Sequence, residues 1–155
     1  MSLYVYPNCN SDKIWRIAWV NLVTGFYAMS TPNWCFSFVP FSVFITSLLH
    51  WHNPIKDSRR QKFDILVVKS TVIYQMFRAY GAANMWSYYY SCSLGLLSYY
   101  QGVVYYNQDS LDISCNYHMC VHVFALCSNI ILYSGKIPSL ADQITNIHNL
   151  QKIFI

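Results

Sequence analysis

IAWVNLVTGFYAMSTPNWCFSFVPFSVFITSLLHWHNPI, Ile17 to Ile55, runs for 39 residues without one Asp, Glu, Lys or Arg. A membrane-crossing helix needs about 20 consecutive, mostly apolar residues. This stretch is long enough for two, with Pro32 at the turn between them and Pro54 at the end. Two more uncharged runs follow: 30 residues between Arg78 and Asp109, and 23 between Asp112 and Lys136. Over the 155 residues only 10% are charged, against roughly 25% in soluble domains. Hydrophobic residues make up 55%, aromatics 18%, and glutamate is absent. A soluble domain of this size would expose much of that apolar material. The composition therefore points to an integral, multi-pass membrane protein, all-α in class.

Reading outward from that stretch gives one helical transmembrane domain, 1–155, with five spans. They cover about 14–29, 34–51, 64–79, 85–106 and 117–134. Pro40 lies within the second span, where proline is tolerated and often kinks a helix. The fourth span carries tyrosines at both ends, as interfacial aromatic belts do. After Gly135 and Pro138, residues 139–155 place Leu140, Ile144, Ile147, Leu150 and Phe154 at three- and four-residue steps. This is the single apolar stripe of an amphipathic helix lying on a membrane surface.

The net charge of +4 does not signal nucleic acid. Lys56, Arg59, Arg60 and Lys62 fall in one short loop between apolar segments, the usual pattern of a cytoplasmic loop. No basic-then-apolar-then-small signal peptide opens the chain. The six cysteines have no regular spacing: four lie in or at the edge of the spans and read as small apolar residues, and Cys9 and Cys115 could pair, though nothing in the sequence requires it.

Span parity then decides which polar residues share a side. His50 closes the second span, Asp64 opens the third, and His118 with His122 begins the fifth. All four fall just inside the membrane on one face. That face carries Lys13, Arg16, Lys56, Arg59, Arg60 and Lys62, against Arg78, Lys136 and Lys152 opposite, and so points to the cytoplasm.

His118 and His122, four apart, share one helix face one turn apart and can grip one metal ion. His50 is the natural third ligand, and His52 is the reserve. Three protein ligands plus water is the arrangement of catalytic zinc. Asp64 is placed to exchange a proton with the metal's water or to orient a histidine. Thr46, one turn before His50, and Ser47 offer hydroxyls on the same side. The bland reading of each is also open: interhelical hydrogen-bonding histidines, an interfacial His50, and an Asp64 favoured by a helix N-terminus.

The order Thr46-x-x-x-His50, Asp64, His118-x-x-x-His122 resembles the superfamily of the alkaline ceramidases and the adiponectin/progestin-type receptors. Its members carry Ser-x-x-x-His, Asp and His-x-x-x-His in that order. The resemblance implies that His50, His118 and His122 bind Zn2+, with Asp64 and Thr46 or Ser47 as catalytic residues. It also implies hydrolysis of a membrane lipid amide, or an ester, by zinc-activated water. Thr46 stands where the family has serine, and two of the family's seven spans have no counterpart, so a homo-oligomer could complete the lipid pocket. Two further readings stand beside this one: a bis-histidine haem b electron carrier, and a receptor-like or structural membrane protein without enzymatic activity.

Overall fold

The computed structural model describes Val5, Tyr6 and residues 8–145, and among these no strand occurs. Six helices follow one another: α1 (Asn8–Ile17), α2 (Val20–Met29), α3 (Phe38–Trp51), α4 (Arg59–Ala79), α5 (Met85–Asn107) and α6 (Leu111–Ser134). A short 3-10 turn, Trp34–Ser37, leads into α3. Two stretches, Trp34–Trp51 and Leu111–Ser134, are long and apolar enough to cross a membrane.

The other three expected spans take a different form. The first is two ten-residue helices joined by a tightened turn at Ala18 and Trp19. There the amides of Trp19, Asn21 and Leu22 bond three residues back, to Arg16, Ala18 and Trp19. Neither proline nor glycine marks this joint. The third begins five residues early, because Ser58 caps α4 by accepting from the Gln61 amide at 3.2 Å. Asp64 is therefore inside α4 rather than at its opening, and Arg59, Arg60, Lys62 and Lys69 are on the helix itself. The fourth is the single uninterrupted helix that the parity argument needs, but its tyrosines and serines dilute its hydropathy. Pro40 falls in the first turn of α3, where its missing N–H would be unpaired in any case.

Beyond Ser134 the chain turns at Gly135 and a helical turn occupies 140–145. Ser139 and Asp142 cap it reciprocally. Leu140 and Ile144 are exposed, as an outward apolar stripe requires, while Gln143 is buried. Gln143 donates to the carbonyls of Arg78 and Tyr80 at the end of α4. Ile147, Leu150 and Phe154, the rest of that stripe, lie outside the described residues.

α6 is the hub: it packs against α5, α1 and α2, while α3 joins α2 to α4. The α5–α6 seam is close because α5 turns Ser91, Gly95, Ser98 and Gly102 inward at alternating three- and four-residue steps. A Cβ on Gly102 would meet Tyr117 Cβ at 3.5 Å, so only a small residue lets the backbones approach. Gly25 of α2 is tighter still, since a Cβ there would clash with the Phe41 ring of α3.

Polar residues are buried beside a small apolar core that includes Ile14, Phe36, Val39 and Leu132, while many large apolar side chains face outward. Asn21, Thr24, Ser47, His50, Gln75 and Asn129 are buried, while Trp86, Tyr90, Ile73, Val23 and Leu66 are at least 60% exposed.

Candidate functional site

The end of the bundle formed by the C-terminus of α3, the start of α4 and the first turns of α6 gathers the predicted residues. Thr46, Ser47 and His50 are buried on α3, and Asp64 is buried on α4. Thr46 Oγ1 donates to Asp64 Oδ1 at 2.7 Å, and Ser47 Oγ donates to the same oxygen at 3.0 Å. The choice between Thr46 and Ser47 dissolves, because both hydroxyls hold one carboxylate oxygen. Asp64 is thus tied to α3 by two hydrogen bonds to one oxygen. In this arrangement both hydroxyls are engaged with Asp64 rather than turned to a substrate oxygen.

His118 and His122 share a face of α6 as their spacing requires, with ring centroids 5.3 Å apart. The Trp51 indole, buried at the end of α3, lies 4.7 Å from the His50 ring and 4.9 Å from the His118 ring. The three imidazoles therefore occupy one neighbourhood, with an indole against two of them. Among the described residues, no three His, Cys, Asp or Glu side chains stand close enough to enclose an ion as they are placed. His52, the reserve ligand, is exposed at the C-cap of α3 and takes no part.

Two atoms test whether the donor set suits a metal. Among the described residues, His50 Nδ1 and His122 Nε2 are buried without any hydrogen-bond partner. A buried polar atom left unpaired costs about 1–3 kcal/mol, so such atoms need a reason. Imidazole nitrogens on facing helices are ordinary ligands of zinc, and the residues fit that ion by chemistry. Asn21 is the residue that the sequence reading missed. Its Nδ2 lies 3.4 Å from His122 Nδ1 and also donates to Ala18 O at 3.2 Å. The available signal was weak: one amide inside an otherwise apolar run.

The N-terminal segment closes this end. Val5 N donates to Pro54 O at 2.9 Å. Tyr6 pairs its hydroxyl with Ser114 Oγ at 2.6 Å and packs on Trp51. Asn10 donates to Asp112 at 3.0 Å. Tyr6 and Trp51 thereby lie between the histidines and the loops.

The opposite end holds a separate polar cluster. Gln75 Nε2 of α4 donates to Asn129 Oδ1 at 2.7 Å and to Tyr133 Oη at 2.6 Å, both on α6. Arg78 donates to Pro138 O and stands over the Phe36 ring at 5.1 Å. No family model, curated protein or solved structure matches this chain, so the motif order and this geometry are what speak to its function.

Proposed function

We propose that this chain is a multi-pass membrane protein that holds zinc through His50, His118 and His122 and hydrolyses a lipid amide of ceramide type, or a lipid ester. Membrane embedding is supported by the many large apolar side chains turned outward and the polar residues buried within. Apolar side chains of this size are rarely presented over so much of a soluble surface, whereas in lipid the polar groups must turn inward. The two shorter helices α1 and α2 would cross as one broken span, and α4 and α5 would complete a five-span bundle. Lys56 before α4, with Arg59, Arg60 and Lys62 in its first turn, supports a cytoplasmic position for the histidine end.

The zinc reading is carried by one observation: buried imidazoles from α3 and α6 with unpartnered nitrogens, beside a carboxylate fixed by two hydroxyls. A bound zinc ion supplies the Lewis acidity that amide or ester hydrolysis needs. The protein's own part is positional. Thr46 and Ser47 hold Asp64 through Oδ1, which leaves proton exchange to Oδ2. Trp51 and Tyr6 cover the histidines from the loop side, and the exposed apolar faces of the helices match the acyl chains of a membrane substrate.

The test is metal analysis of detergent-purified protein, wild type against His118→Ala, paired with hydrolysis of a short-chain ceramide. The proposal expects about one zinc per chain in wild type, with both zinc and hydrolysis lost in the variant. Absence of zinc in both proteins overturns it.

A second reading has its own support. The contacts of Trp51 with His50 and His118 are also what a purely structural aromatic cluster would show. In that case His118→Ala lowers thermal stability and removes no metal.

A further inference from the structure

Resting on the zinc reading, we propose that Asn21 is a positioning residue that decides which nitrogen of His122 carries its proton, and so whether His122 can act as a ligand. Asn21 is 2% exposed and stands at the joint between α1 and α2. The tightened turn gives Ala18 O two donors from one residue: Asn21 N at 3.1 Å and Asn21 Nδ2 at 3.2 Å. That pins the amide with its NH2 group toward α6, where it meets His122 Nδ1 at 3.4 Å. An NH2 group can only donate. A neutral His122 in this arrangement accepts at Nδ1 and carries its proton on Nε2, the atom that is buried without a partner.

A neutral imidazole ligates through a nitrogen that bears no proton. For His122 Nε2 to ligate, the proton moves to Nδ1 and Asn21 presents Oδ1 instead. Turning the amide over gives up the bond to Ala18 O and a long contact with Nδ1, near the limit of a useful hydrogen bond. It gains an Nδ1–H donor polarised by a metal, which makes a stronger, charge-assisted bond. Partners of this kind orient the ring and fix its tautomer, and their loss typically costs 10–100-fold in metal affinity. Asn21 thus has two settings. One closes the bonding of α2 on itself, and the other prepares His122 as a ligand.

The two settings make substitutions diverge. Asn21→Asp can only accept, so it fixes the ligating tautomer. Asn21→Leu offers nothing to Nδ1–H. The experiment measures zinc affinity by chelator competition on the full-length protein in detergent, together with the visible absorption of the cobalt(II)-loaded form. The expected order is Asn21→Asp about tenfold tighter than wild type and Asn21→Leu about 10–100-fold weaker. The cobalt spectrum of the Asp variant should shift relative to wild type. A packing role for Asn21 would lower the melting temperature in both variants and leave affinity unchanged, which overturns the proposal. So does weaker binding by Asn21→Asp. Asn21→Ser, smaller and still polar, replaces the leucine variant if that one fails to fold, and is expected to fall between wild type and leucine. Failure of the zinc reading itself shows separately, as wild-type protein without metal.

Discussion

The two ends of the bundle handle buried polarity in opposite ways. At the Gln75 end, one amide nitrogen bridges Asn129 and Tyr133, and Gln143 covers the carbonyls that end α4. The unpartnered atoms there, Arg78 Nε and Gln143 Oε1, belong to side chains whose other groups are bonded in place. At the histidine end, Asp64 Oδ1 holds two hydroxyls and His122 Nδ1 meets Asn21, while His50 Nδ1 and His122 Nε2 face no partner among the described residues. A closed network fastens helices, and an open one leaves capacity for something else. The contrast separates the part of the interior that holds α4 to α6 from the part available for chemistry.

The sharpest way to break that contrast is His50→Ala. Since an orienting partner alone is worth 10–100-fold in affinity, loss of a ligand should weaken zinc binding by more than about 100-fold. The change should cost little stability, because an unpartnered nitrogen leaves with the ring. Competition with a coloured chelator, run beside a thermal melt, reads both quantities. Gln75→Leu should do the reverse. It strands Asn129 Oδ1 and the Tyr133 hydroxyl and should lower stability by about 1–2 kcal/mol, with zinc affinity unchanged. Equal effects of these two variants on zinc would erase the distinction between the ends. The smallest effect is expected at Asp64. Thr46→Ala and Ser47→Ala each remove one of two donors to Oδ1 and should each cost about 0.5–1.5 kcal/mol. Their double variant should cost more than the sum, since the second loss leaves Oδ1 bare. A strictly additive double variant would mean that the two hydroxyls do not share the carboxylate.

Much of this arrangement was legible because it is local or periodic. The four-residue step fixed His118 and His122 on one face, and unbroken apolar runs marked α3 and α6. A single short connection between α3 and α4 brings Asp64 and His50 to one end. What escaped was set by tertiary context. The joint at Ala18 and Trp19 has no breaker residue. The start of α4 depended on Ser58 acting as a cap against a run of charged residues that reads as a loop. Asn21 gains its meaning from His122, about a hundred positions away, and Gln75 gains its from Asn129 and Tyr133. Such pairings leave no trace in the spacing of either residue. Trp51 marked only the end of the second span, and its place against two imidazoles follows from how α3 meets α6.

The ties between the first residues and α6 bear on how the chain is made. Tyr6 waits for Ser114, Asn10 for Asp112, Asn21 for His122 and Asn33 for the carbonyl of Tyr133. During synthesis these long-range partners arrive only when the last helix emerges, because contacts so distant along the chain form late, while Asn21 and Asn10 already have the local partners Ala18 O and Lys13. A chain halted before residue 111 would lack these long-range partners, leaving the Tyr6 hydroxyl and the Asn33 amide without their α6 acceptors, a chemical signature by which quality control could tell unfinished copies from finished ones.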